Sequence, residues 1–246
     1  MNNFNTIIIA DGEIPSPTYW GSYSYKQLIC TDGAAVVLKN FEINPTIILG
    51  DLDTLLSHFK TEAQIQAEFP RAKLIRKQDQ DTTDFEKSLL FAQNKNDYPI
   101  LFLGIFGKAI DHSLHNLCLF SQFSSEAINR TAITNGTAKI EAAPPPMVWL
   151  NEFKGTTQWG FMLPPNCCIH TEIDQTISFF PMPEAELSST GLYWELSNTK
   201  LSQQNKHSVR NKASKNRLYL HTKGLCFVIL TQKRCPIVEL QLNNTN

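Results

Sequence analysis

Four short apolar runs constrain the fold of this 246-residue chain more than any other feature. They are Thr6-Ile-Ile-Ile-Ala10, Pro45-Thr-Ile-Ile-Leu49, Ala72-Lys-Leu-Ile75 and Pro99-Ile-Leu-Phe-Leu103. The first two run directly into Asp-Gly and Gly-Asp. Between and after these runs, segments near 64–69, 84–93 and 111–123 read as helices. Strands buried on both faces are continuously apolar, and helical crossovers make such strands parallel. The pattern predicts an N-terminal three-layer α/β domain with a mainly parallel sheet, over residues 1–135.

The pattern changes after that point. Eight of the 13 prolines lie beyond residue 135, three of them in Pro144-Pro145-Pro146. Short strand-like segments follow, such as Cys168-Ile-His-Thr-Glu-Ile173, Thr176-Ile-Ser-Phe-Phe180, Arg217-Leu-Tyr-Leu-His221 and Leu225-Cys-Phe-Val-Ile-Leu230. Turn residues separate them, so residues 136–246 are predicted to form an all-β domain, a C-terminal β-sandwich. No internal repeat is visible.

Charge and cysteine usage exclude several classes. Lys and Arg number 22 and Asp and Glu 23, which argues against a uniformly basic nucleic-acid binder and an acidic disordered tail. Residues 196–238 hold nine Lys or Arg and no acid, but show no stacking-aromatic pattern, so no nucleic-acid partner is expected. No apolar run approaches the roughly 20 residues of a membrane span, and no membrane contact is expected. Six cysteines without a Cys-x-x-Cys pair indicate neither a disulfide scaffold nor a zinc ribbon. The expected setting is cytoplasmic and reducing.

Three motifs in the α/β region bear on chemistry. In Gly50-Asp51-Leu52-Asp53-Thr54 a strand delivers two carboxylates at i and i+2, on one side of an extended chain. That pair suits a hard divalent cation, or else forms a turn with Asp53 capping a helix. In Asp79-Gln80-Asp81-Thr82-Thr83-Asp84-Phe85-Glu86-Lys87, Thr83 and Glu86 form a capping box, and Asp84 suits a helix N-terminus. The preceding Asp79 and Asp81 are less easily explained by capping, because crowded like charges call for a cation. In Gly104-Ile-Phe-Gly107-Lys108-Ala-Ile-Asp111-His112-Ser-Leu-His115-Asn116 a Gly-x-x-Gly turn opens a helix and presents N–H groups to an anion. A fourth, fainter motif is Gly191-Leu-Tyr-Trp194-Glu-Leu196, whose Trp194 is either core or a stacking platform.

In this order the motifs resemble thiamine pyrophosphokinase. That family's early Asp-Gly-Ala is matched by Asp32-Gly33-Ala34, its Gly-Asp-x-Asp-Ser by residues 50–54, and its Asp-x-x-Asp by Asp81 and Asp84. Its Gly-x-x-Gly-Arg-x-Asp-His and later Asn are matched by Gly104, Gly107, Asp111, His112 and Asn116, with Lys108 where Arg is usual. Gly191 to Leu196 match its Gly-Leu-x-Trp-x-Leu, and Ser208-Val209-Arg210-Asn211 match its Ser-x-Ser-Asn in part.

The resemblance implies an enzyme, a thiamine diphosphokinase, that transfers the pyrophosphoryl group of ATP to the hydroxyethyl oxygen of thiamine. It implies Mg2+ on Asp51, Asp53, Asp81 and Asp84, the catalytic carboxylates, with Asp79 on the outer side. It implies nucleotide contacts from Asp32, Gly33, Gly50, Thr83, Lys87, Gly104, Gly107, Lys108, Asp111, His112 and Asn116. Thiamine would meet Gln80, Asp84, Trp194 and Ser208. A homodimer is implied, with thiamine held between the α/β domain of one copy and the β domain of the other. Two rivals are a metal-dependent phosphohydrolase of the Asp-His type and a sensor that binds thiamine or nucleotide without turnover.

Overall fold

Parallel strands carry the first half of the chain, and each is buried where its sequence is apolar. In the computed structural model, which describes residues 3–134 and 143–241, these are β1 (Asn3–Ile9), β2 (Ser24–Thr31), β3 (Ile47–Gly50), β4 (Lys73–Arg76) and β5 (Ile100–Leu103). They pair in the order β5-β1-β2-β3-β4, all parallel. The helices are α1 (Asp32–Asn40), α2 (Asp53–Phe59), α3 (Glu62–Glu68), α4 (Asp84–Lys95) and α5 (Ile110–Thr134). Ile7, Ile8, Ile9, Ile48, Leu49, Leu101 and Phe102 are fully or almost fully buried, as a sheet covered on both faces requires. Thr83 caps α4, its hydroxyl accepting from the Glu86 amide at 3.2 Å, so the helix starts where the capping box predicts.

Three elements of this half escaped the sequence reading. β2 lies inside the sheet although its first half, Ser24-Tyr-Lys-Gln, is polar; only its end from Leu28 is buried. α1 and α2 are nine and seven residues long, shorter than the window of about 11–18 residues over which helical periodicity is counted.

The second half is antiparallel. It holds β6 (Met147–Phe153), β7 (Thr156–Met162), β8 (Asn166–His170), β9 (Thr176–Thr190), β10 (Thr199–Ser202), β11 (Ser208–Lys212), β12 (Arg217–Thr231) and β13 (Val238–Leu240). β9 and β12 pair along most of their length. β10 and β11 pair with β9, β7 and β8 with opposite ends of β12, and β13 with β8. Two strands expected at 217–221 and 225–230 are one continuous β12. Lys223-Gly224 reads as a turn but stays paired with Glu186 and Ala185, with Gly224 at φ 86°; the register shifts between Gly224 and Cys226, where the extra residues, Met182 to Glu184, lie on β9.

The chain separates into two compact units, one of Met1–Phe120 with Trp149–Asn151, the other of Ser121–Val148 with Glu152–Asn246. The expected boundary at 135/136 lies outside the described residues. Among the described residues, none of the six cysteines is in a disulfide. Among the described residues no helix is long and apolar enough to cross a membrane.

Candidate active site

Parallel pairing brings the carboxyl ends of β1, β2, β3 and β5 to one edge, where open α/β sheets hold ligands. A cleft of about 430 Å³ lies there, lined by residues of the first unit.

Three carboxylates converge in it. Asp32, Asp51 and Asp84 each place an oxygen within 4.8 Å of the others. Asp32 opens α1 and is buried. One of its oxygens accepts the Gly33 amide at 2.6 Å and the other the Thr54 amide at 3.0 Å, so it ties together the first turns of α1 and α2. Burial first, and then the Asp84 and Asp51 charges, raise its pKa to about 6 against those two bonds. Asp51 leaves the end of β3, its carbonyl held by the Arg76 guanidinium at 3.2 Å. Asp84 opens α4 and receives the buried Lys87 ammonium at 3.0 Å. Gly50 makes room for it, since a Cβ there would sit 2.5 Å from an Asp84 oxygen. An all-oxygen set whose mutual repulsion is visible at Asp32 fits a hard divalent cation.

The other expected residues divide. Asp79, Gln80, Thr83, Lys87, Gly107, Lys108, His112 and Asn116 line the cleft. Asp79 accepts from the Thr82 hydroxyl at 2.7 Å and the Asp81 amide at 2.9 Å, which hold its carboxyl below the ordinary range. Asn116 donates to the Ile105 carbonyl at 2.9 Å and fastens α5 to the glycine turn. Gly33, Gly50 and Gly104 give the loops their close approaches without lining the cleft.

Asp53 and Asp81 are exposed and stand outside the three-carboxylate group. For Asp53 the reason is local. Leu52 is buried at φ 68°, so the chain after Gly50 is not extended and the i, i+2 geometry does not apply. Asp51 instead accepts the Asp53 amide at 3.0 Å, and Asp53 becomes the first residue of α2. Asp111 is exposed and accepts the amide of His112 at 2.8 Å.

Thr31 and Asp11 are among the cleft residues that were missed. Thr31 is buried, and its hydroxyl has no hydrogen-bond partner. Asp11 follows β1 and receives the Lys108 ammonium at 2.6 Å. The signal for Asp11 was available: an Asp-Gly at the carboxyl end of a parallel strand falls at the ligand edge.

In the second unit Trp194 is 63% exposed. Its loop is closed by Glu195, which accepts the Gly191 amide at 2.7 Å and the Leu192 amide at 3.1 Å. The buried Asn211 donates to the Trp194 carbonyl at 2.8 Å. The ring is therefore displayed on a fixed backbone and is not core. Ser208 is the first residue of β11 and Arg210 stands at φ 58°.

Residues 18–132 match the family model described as thiamin pyrophosphokinase, catalytic domain. The match spans the stretch that holds the three α/β motifs and bears out the resemblance drawn from them. No curated protein matches the chain. Among solved structures the fold is similar to thiamine pyrophosphokinase from Bacillus subtilis, with TM-score 0.69, 24% identity, and coverage of 92% of this chain and 99% of that one. It is similar to the enzyme from Geobacillus thermodenitrificans at TM-score 0.71, 17% identity and 92% and 97% coverage. For that from Candida albicans the values are 0.66, 14%, 98% and 93%. At these identities the likeness is one of fold, a mixed α/β chain with further strands.

Proposed function

We propose that this chain transfers the β,γ-pyrophosphoryl group of ATP to the hydroxyethyl oxygen of thiamine, giving thiamine diphosphate and AMP. The observation that carries this reading is the convergence of Asp32, Asp51 and Asp84 at the ligand edge, within the stretch that matches the catalytic-domain model. The three would hold Mg2+, with Asp79 at the outer rim and Asp53 and Asp81 flanking. The ion, when bound, neutralises triphosphate charge and polarises the phosphorus under attack. Lys87 holds the Asp84 carboxylate in place through their ion pair, and Lys108 offers a cation to phosphate oxygens. His112 and Asn116 shape the wall against which the nucleotide lies. Asp84 orients the thiamine alcohol, an effect of position more than basicity.

Thiamine carries a fixed positive charge, which suits an acidic cleft and an aromatic face. Gln80 at the cleft and the displayed Trp194, with Ser208, are its proposed contacts. The same reading makes the chain a cytoplasmic homodimer with a catalytic α/β domain and a β-sandwich domain for thiamine binding and dimerisation. No observation favours the phosphohydrolase or the sensor.

The test is a product assay with ATP, Mg2+ and thiamine that separates AMP from ADP. Expected are AMP and thiamine diphosphate in equal amounts, dependent on both thiamine and metal. Asp51→Ala should lose about a hundredfold or more in turnover with the fold retained. ADP with thiamine monophosphate, or phosphate release without thiamine, would overturn the assignment.

A further inference from the structure

The parallel sheet grows in two directions from β1. The chain adds β2, β3 and β4 on one side and returns to place β5 on the other. The loops after β1 and β5 therefore border the switch point, where open α/β sheets form their ligand crevice. Backbone hydrogen bonds fasten these two loops together. The Ala10 amide donates to the Leu103 carbonyl at 2.9 Å, the Gly12 amide to Gly104 at 2.7 Å, and the Glu13 amide to Phe106 at 2.7 Å. Gly12 approaches so closely that a Cβ there would run into the carbonyl oxygens of Gly104 and Phe106.

Asp11 sits inside this fastened stretch, and its carboxylate lies against Gly33 in the first turn of α1. It also receives the Lys108 ammonium at 2.6 Å across 97 residues of chain. Lys108 follows Gly107 in a turn where both residues have positive φ, 89° and 55°. Both partners of the pair line the cleft and are about half exposed, 45% for Asp11 and 50% for Lys108. An ion pair this exposed contributes little to folding, so stability does not account for its place in the cleft. A lysine side chain held in one geometry before a ligand arrives does explain it, because ordering four flexible carbons otherwise weakens binding.

We propose that Asp11 is a positioning residue for Lys108, holding the ammonium at the switch-point crevice so that an entering phosphate group meets an ordered cation. The inference rests on the nucleotide reading of the cleft. Asp11 itself touches no phosphate; it acts through Lys108.

The experiment is calorimetric titration of the full chain with ATP and Mg2+, alongside steady-state kinetics with thiamine. Asp11→Asn should raise the ATP Kd and KM about three- to tenfold, with kcat changed less than twofold. Asp11→Glu should recover most of the loss. In a Lys108→Ala background, Asp11→Asn should cause no further loss. The melting temperature should move by no more than about 3 °C. An equal loss in both backgrounds, a fall in kcat at unchanged KM, or tighter ATP binding by Asp11→Asn would overturn the proposal. If the unmutated chain binds no nucleotide, the functional reading fails and takes this inference with it. If it binds ATP and Asp11→Asn is silent, only the inference fails.

Discussion

At the residue scale the central fact is a buried carboxyl with two like charges beside it. Burial, then Asp84 and Asp51, raise the pKa of Asp32 from 3.8 to about 6. The folded chain therefore holds its proton more tightly than the unfolded chain does. Between about pH 4 and pH 6 the unfolded state has already released that proton, so stability falls as pH rises through the window. The loss attached to this one group is about 2–3 kcal/mol. A divalent cation on Asp32, Asp51 and Asp84 reverses the sign, because it binds the ionised set and competes with the proton. Mg2+ should raise the melting temperature clearly near pH 7.5 and hardly at about pH 5. Scanning calorimetry with and without Mg2+ at the two pH values checks this. Equal shifts at both would mean the ion binds somewhere that Asp32 does not control.

At the element scale the start of α4 couples folding to chemistry. Thr83 caps the helix, Asp84 points from its first turn to the cleft, and Lys87 one turn on neutralises Asp84 from a side chain only 6% exposed. Removing Lys87 leaves Asp84 facing Asp32 and Asp51 with no cation. The cost should approach that of breaking a buried pair, reduced because Asp84 is 21% exposed. Lys87→Met should lose about 2–3 kcal/mol in urea unfolding, part of it restored by Mg2+. A stabilised variant would show that burying the ammonium costs more than the pair returns. The helix was legible because the capping box is local. The carboxylate group was only partly so, because it joins the ends of three separate elements. Asp51 and Asp84 were anticipated as ligands, while Asp32 was read as a nucleotide contact. The pairing of Asp51 with Asp53 depended on an extended chain, which the left-handed Leu52 breaks. In the antiparallel half, strands are expected to end at Phe180 and at His221, just before Pro181 and the segment that holds Gly224. Yet β9 and β12 run through them, with Pro181 paired to Cys226 where the register shifts. A bulge absorbs residues that would end a regular strand.

At the scale of the whole molecule the two compact units divide the proposed labour, and this division can be tested. The cleft is lined by the first unit alone, so ATP and Mg2+ should bind there whatever happens to Trp194 in the second. Trp194 is 63% exposed and its carbonyl is held by the Asn211 side chain in β11, so truncating the Trp194 side chain leaves the loop's own bonds in place. An aromatic face over a fixed cation contributes about 0.5–2 kcal/mol, which corresponds to about two- to thirtyfold in affinity. Trp194→Ala should therefore raise the KM for thiamine within that range and leave the ATP Kd within about twofold. The thiamine effect should shrink for an uncharged analogue of the same shape, since the ring's quadrupole acts on charge. Titrating ATP by calorimetry and thiamine by turnover on the same preparation separates the two. Parallel losses for both ligands would place Trp194 in the support of the fold, and unchanged thiamine kinetics would remove Trp194 from thiamine binding.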